Sequence, residues 1–337
     1  MTIRKGSFEL QNFTTTINKV ERSWTRLNDM NIFEQKMNDT RNITIDVVND
    51  TTRYFGDTRP GGTRNKLGYE NVREVPFIIP FFTLDSRLSA RDIQDLRAYG
   101  TPNSAMTVNM ARMRIMERLQ RDHAALREKA MMQAIIGTSF APNNTIPVSN
   151  YYTAFDETQV TTDFAFSNAM TDVPTRVETI RTQIRDQSRN NAQNYEVVVL
   201  CSPTWFTAFV NHATVKGAYV EYQSNTGSMI NPNRDRPGGN GVERDFVFQN
   251  IKFQEFAATF GTDQLIPAGE AYAFPMGIEN MFEINYGPSD LIDGANEMAQ
   301  EMYMVEVRDH RTIEFESETA LLAVNTRPEL VVKLTMS

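Results

Sequence analysis

"NSAMTVNMARMRIMERLQRDHAALREKAMMQAIIG" occupies Asn103–Gly137. Met106, Met110, Met113, Met116, Leu119, His123, Leu126 and Ala130 recur at steps of three and four, the period of a helix with one apolar face. Gly137 is the stop signal. A helix over 103–136 is about 50 Å long at 1.5 Å per residue, and few globular helices reach that length. It must lie across something broad, such as a sheet. The segment carries six Lys/Arg against three acids, with Glu117–Arg121 and Arg118–Asp122 placed to pair at i,i+4 on its surface.

Upstream stands "PFFTLDSRLSARDIQDLRAYG" (Pro80–Gly100). Ser89 is an N-cap with Asp92 three residues on, and Gly100 is a stop, so a short helix is expected over Ala90–Tyr99. Thr101-Pro102 then turns the chain into the long helix. Before it, "NITIDVV" (Asn42–Val48) alternates, with Ile43, Ile45 and Val47 on one face. "VREVPFIIPFF" (Val72–Phe82) is a second extended run. Gly56, Pro60, Gly61, Gly62 and Gly68 lie between them, which reads as a long hairpin with a flexible tip. In residues 1–40, Phe13, Ile17, Val20 and Trp24 space as a short amphipathic helix that needs a neighbour to pack on.

Downstream, Pro142 to Val173 reads as strand and loop. Pro174 opens an amphipathic helix with Val177, Ile180 and Ile184. "YEVVVLC" (Tyr195–Cys201) is a fully apolar strand, and Ser202 with Pro203 starts another helix. "GSMINPNRDRPGGNGVERD" is a second flexible loop. "FVFQNIKFQEF" is a strand pair or a bulged strand. From Ile278 on, strands and acids alternate.

The 337 residues exceed the usual single compact domain, so one elaborated domain or two interleaved ones is expected, and 40% hydrophobic with 23% charged residues is ordinary for a globular chain. A single Cys rules out an intrachain disulfide and fits folding in a reducing compartment. The first residues lack the apolar core of a secretory signal, and no apolar run reaches membrane-spanning length. The net charge of −8 argues against a freely diffusing nucleic-acid binder.

No enzyme signature is found. His123, His212 and His310 lack ligand spacing, and His123 reads as a packed or interface residue. Cys201 reads as core. GxxxxGK[ST], GxGxxG after a strand and GxSxG are absent. Glu314 and Glu316 share a solvated strand face. No cofactor and no metal is expected. Charge placement is more telling: residues 51–68 hold Arg53, Arg59, Arg64 and Lys66 against Asp57, a balance of +3. Residues 290–318 hold nine acids against Arg308 and Arg311, a balance of −7. A basic hairpin tip and an acidic segment can meet across subunits.

The order of parts resembles the shell proteins of tailed phages with the Hong Kong 97 fold. "NIFEQ" (Asn31–Gln35), "FIIPFFTLDSRLSARDIQDLRAYG", "LIPAGEAYAFPMGIENMFEINYGPSDLIDGAN" and "NTRPELVVKLTMS" are similar to four motifs of the lambda-type major capsid protein family, in the same order. The resemblance implies an α+β fold: an N-terminal arm (1–40), an extended hairpin loop (41–80), a peripheral domain (81–173 and 308–337) with spine helix 103–136, and an axial domain (174–307). The last strand would return to the peripheral domain. The resemblance also implies self-assembly through pentamers and hexamers into an icosahedral virion head, put together in the host bacterial cytoplasm. The head would enclose double-stranded DNA held non-specifically. Decoration, scaffold and portal proteins are the further partners such a shell implies, with no membrane. Inter-subunit contacts are expected at Arg53, Phe55, Arg59, Arg64, Lys66, Arg234, Arg236, Asp290, Asp293 and Glu297. An encapsulin-like cellular shell and an unrecognised soluble α/β enzyme are the competing readings.

Overall fold

A computed structural model describes residues 26–49, 71–94, 107–140, 147–188, 195–218, 244–261, 263–290 and 298–337. The chain opens with α1 (Arg26–Met30), β1 (Glu34–Met37), β2 (Asn42–Asn49), β3 (Asn71–Ile78), β4 (Phe81–Thr83) and β5 (Ser86–Ser89). Next come α2 (Ala90–Ile93), α3 (Val108–Ile136), β6 (Thr138–Phe140), β7 (Pro147–Asn150), α4 (Tyr151–Phe155) and β8 (Val160–Asp163). Then follow α5 (Val173–Gln187), β9 (Glu196–Cys201), α6 (Pro203–Asn211), β10 (Asp245–Phe248), β11 (Ile251–Glu255), β12 (Thr259–Phe260) and β13 (Asp263–Gln264). The last elements are β14 (Glu270–Met276), β15 (Phe282–Tyr286), β16 (Tyr303–Arg308), β17 (Thr312–Asn325) and β18 (Val332–Thr335).

Two six-stranded sheets carry the fold. One runs β1-β15-β17-β16, with β4 and β5 also on β17. The other runs β10-β11-β9-β14-β18-β8. In β9, Val198 and Leu200 join one core while Val197, Val199 and Cys201 join another, as period-2 alternation requires. Tyr272/Phe274 and Ala271/Ala273 divide β14 the same way. The first core packs this sheet against the end of α3 and the β15–β17 ladder. The second packs its other face under α5 and α6, around Trp205, Phe209 and Phe253. Gln249 and Asn250, at φ 48° and 62°, close the turn between β10 and β11, so the ambiguous strand is a pair.

The sheets cross the expected borders at 174 and 308. β15 and β16, from the stretch expected as axial, join the sheet under α3. β18 does not return there: it pairs antiparallel with β14 and parallel with β8 in the second sheet. Its Val332 and Leu334 are buried in the α5/α6 core, whereas the first sheet already has β17 filled by β15, β16, β4 and β5.

The spine helix is the 29-residue α3, started by Thr107, whose hydroxyl accepts the Met110 N–H at 3.3 Å. It ends at Gly137, left-handed at φ 98°. Its supporting face differs from the expected one. Leu119, His123 and Leu126 are buried, but Met110, Met113 and Met116 are 43%, 63% and 37% exposed. Ala111 takes their place against Leu88 and Phe315, with Ile115 beside it. A small Ala111 lets the helix lie close on β17, and this rotates the methionines outward. Of the expected ion pairs, Arg118–Asp122 forms at 3.9 Å, while Arg121 also meets Asp122, at 3.7 Å, rather than Glu117.

Of the helix expected over Ala90–Tyr99, the described residues hold the one turn Ala90–Ile93, with Gln94 extended at ψ 135°, and residues 95–99 lie outside them. Its start is as expected on the acid side: Asp92 accepts from the Ser89 N–H at 2.9 Å and hydroxyl at 2.7 Å. The Ser89 contacts hold the Asp92 carboxyl below its ordinary range.

Candidate inter-subunit surfaces

The hairpin stem is an eight-pair antiparallel ladder, from Asn42↔Ile78 to Asn49↔Asn71. Ile43, Ile45 and Val47 pack against the first core, as the alternation predicts. Across from them Val75 and Phe77 are buried. Phe77 meets Tyr151 and Phe155 at ring distances of 5.9 and 5.8 Å, and Arg73 donates to the Ala154 carbonyl at 3.1 Å. The stem therefore rests on α4, which the sequence reading passed over as strand and loop. Asn150 was the available signal: its side chain accepts the Thr153 N–H at 3.3 Å as an N-cap. The tip candidates Arg53, Phe55, Arg59, Arg64 and Lys66 lie outside the described residues, as do Arg234, Arg236, Asp293 and Glu297.

The acidic segment divides by strand alternation. Glu306 faces α3 and pairs with Arg112 as well as Arg308. Hydrogen bonds from Arg308 first, then Arg112, keep its carboxyl below the usual range. Glu301 pairs with Arg127 at 2.9 Å. Ile313 and Phe315 point toward the core under α3, so Glu314 and Glu316 stand on the opposite, solvent face with Glu318 beside them. Glu314 has exposed Arg87 at 3.5 Å. Asp290, itself exposed, donates its backbone N–H to Glu318 at 3.0 Å. The structure thus brings Asp290 to a carboxylate ladder that the charge count placed nearby.

His123 and Cys201 have structural surroundings. Ser317 donates its hydroxyl to the Leu84 carbonyl, so its oxygen accepts from His123 Nε2–H at 2.9 Å. Burial lowers the imidazole's affinity for a second proton. This chain ties α3 to β17 and the β4–β5 turn. Burial pushes the Cys201 thiol well above its ordinary range.

One buried acid escaped the sequence reading. Glu128, 1% exposed on α3, accepts the backbone N–H groups of Leu27 at 2.7 Å and Asn28 at 3.4 Å. It caps α1 from outside, supplying partners to donors the short helix cannot satisfy. Arg26 next to it donates to the Glu255 carbonyl at 2.7 Å and pairs with Asp245 at 3.0 Å. Residues 26–28 thus clasp the spine helix and the second sheet together. Burial pushes the Glu128 carboxyl up to about 7. A raised folded-state pKa means the folded chain binds more protons than the unfolded one. Glu128 therefore contributes stability at low pH that is lost as pH rises from about 4.5 to about 7, by about 3 kcal/mol. In Glu128→Gln this part of the pH dependence vanishes. Denaturant titrations of both proteins at several pH values check it, and parallel profiles would refute the assignment.

Sequence comparison places these surfaces in a family. A family described as phage major capsid protein E matches residues 9–336. The major capsid protein of Pseudomonas phage KPP10 is 29% identical over 98% of this chain and 97% of its own length. That of Salmonella phage Felix O1 is 24% identical over 97% and 96%. In structure, the mature capsid of bacteriophage PhiM1 matches with a TM-score of 0.56 at 13% identity, over 98% of this chain and 92% of that one. The SrpI encapsulin of Synechococcus elongatus also shares the fold, with a TM-score of 0.52 at 10% identity over 97% and 92%. The fold alone therefore spans phage heads and encapsulins, and the sequence separates them: the chain belongs to the phage major capsid protein E family.

Proposed function

We propose that this chain is the head-shell subunit of a tailed phage, assembling with copies of itself into pentamers and hexamers of an icosahedral head. The family match over residues 9–336 carries this reading. The sheet beneath α3 serves as the peripheral domain, and the sheet under α5 and α6 as the axial domain around the symmetry centres. The shell encloses double-stranded DNA without reading its sequence, forms in the host cytoplasm, and works with portal, scaffold or decoration proteins. Its role is mechanical rather than enzymatic.

The hairpin is the reaching element. An isolated two-stranded ladder is marginal in water, and here the stem is held by Phe77 on α4. Residues 50–70 continue from its open end and bring Arg53, Phe55, Arg59, Arg64 and Lys66 to a neighbouring subunit. The Asp290, Glu314, Glu316 and Glu318 face is their counterpart. Asp293 and Glu297 extend that acidic side, and Arg234 and Arg236 contact neighbours from the second loop. Each exposed charge contact is worth up to about 1 kcal/mol and weakens with salt, but a shell repeats it in every subunit.

Arg59→Glu with Arg64→Glu is expected to lower the yield of closed particles while the chain stays folded. Adding Glu314→Lys and Glu316→Lys is expected to restore it. Particle counts by light scattering and electron microscopy are the readout. Unchanged yield and salt sensitivity in the first variant would remove the docking contact and leave the shell role standing.

A further inference from the structure

α1 has five residues, too few to stay helical in water without support. Its seat supplies that support. Leu27 is fully buried in the first core, and the two oxygens of Glu128 each accept one backbone N–H, from Leu27 at 2.7 Å and from Asn28 at 3.4 Å. Arg26 reaches the second sheet through the Glu255 carbonyl and Asp245. The seat is incompletely filled. A cavity of about 20 Å³ lies among Leu27, Asn28, Asn31, Arg127, Met131 and Ile284, room for about one water.

The cations near Glu128 are committed to other groups. Arg127, next to it on α3, turns to Glu301 at 2.9 Å. Lys129, on its other side, lies over the Phe260 ring at 4.6 Å. Arg26 of α1 is held by Asp245, and Arg244 holds Glu255 at 2.9 Å. Asp29 of α1 adds a like charge, which opposes ionisation. Among the described residues no cation forms an ion pair with the Glu128 carboxyl, which is 1% exposed. Burial outweighs the two N–H bonds and the Arg127 charge, so the seated carboxyl keeps its proton to higher pH than an exposed one. The protonated form keeps the short Leu27 bond through its carbonyl oxygen. Once α1 lifts away, Glu128 meets water and returns to its ordinary value of 4.5. Closing the seat therefore takes up a proton, and rising pH favours opening.

We propose that the 26–28 clasp is a proton-operated latch: it closes α1 onto the spine helix while Glu128 is protonated, and α1 lifts off locally when the carboxyl ionises, with both sheets still folded. Opening uncovers Met131 and Ile284, both buried beneath the closed helix, and unties the spine helix from the second sheet at Arg26. The latch does not depend on the shell reading, and unassembled protein suffices to test it.

Hydrogen exchange of the unassembled full-length chain, followed by mass spectrometry from pH 5 to 8 and normalised to the unprotected rate at each pH, is the test. Protection of residues 26–30 is expected to fall about tenfold per pH unit and to level off above about pH 7. At every pH it is expected to be at least about tenfold below that of β9, the buried strand between the two cores, which marks the opening as local. In Glu128→Gln the profile of residues 26–30 is expected to be flat. A flat wild-type profile overturns the latch. So does protection equal to that of β9, because the opening is then global unfolding. The wild-type profile alone decides these two points, whether or not the variant folds. A decline that persists in folded Glu128→Gln places the proton on another group and overturns the latch as well.

Discussion

Trp205→Ala lowers the unfolding free energy of the unassembled chain by about 3–5 kcal/mol, a large part of the stability of an ordinary domain. Trp205 is fully buried. It stacks on Phe209 at 5.2 Å and on Phe253 at 6.0 Å, and meets Phe164 edge-on at 5.2 Å. Those rings come from α6, β11 and the end of β8, so the cavity would open where the second core joins its helix to its sheet. Pro203 and the Ser202 cap, whose hydroxyl accepts the Trp205 N–H at 3.5 Å, fix the helix start, so collapse around the cavity is limited. Trp205→Phe keeps part of the volume and is expected to cost less. Denaturant midpoints measured by far-ultraviolet circular dichroism give the comparison, and a loss below about 1 kcal/mol for the alanine variant would mean the cluster is not the core it looks to be.

Gly137→Ala is the second large effect, and here a single methyl is enough. The residue is left-handed at φ 98°, which costs an L side chain about 1–2 kcal/mol. A Cβ built there would sit 2.1 Å from the Tyr152 ring. Relieving that overlap moves α4, at a further cost of about 1–3 kcal/mol. α4 also seats the hairpin stem, and Tyr151 donates its hydroxyl to the Ala323 carbonyl of β17. The variant is therefore expected both to melt earlier and to assemble poorly. Gly137→Asn, better suited to the left-handed region, meets the same ring and is not rescued. Wild-type melting for Gly137→Ala would show that Tyr152 can swing away freely.

These two positions show what local sequence can reveal. The stop at Gly137 was readable because a helix-terminal glycine has a local cause. The crowding by Tyr152 was not, since it depends on how α4 folds back. The hairpin stem, the apolar β9 and the cap at Ser202 follow from alternation and cap chemistry within a few residues, whereas the Thr107 cap of α3 was not read from the sequence. The methionine stripe misled for a related reason: it has the right period, but Ala111 and Ile115 have nearly the same period one step away. Only the contact with Phe315 and Leu88 decides between them. The route of β18 into the second sheet is non-local and has no signature in Val332–Thr335 itself. Glu128 is subtler still: a glutamate on a basic, amphipathic helix reads as surface. It is buried because the backbone of residues 27 and 28, a hundred positions away, brings it two donors. Among the contact candidates, Asp290 could be followed into the structure, and it lies on the carboxylate face of β17.

The central claim is that copies of this chain close into a head shell, and electron cryo-microscopy of the purified full-length protein tests it most directly. The account predicts closed icosahedral particles whose capsomers place the second sheet around the symmetry centres and the β2–β3 hairpin over a neighbouring subunit. A protein that remains monomeric or dimeric under all conditions, with no shells on the grid, would contradict it.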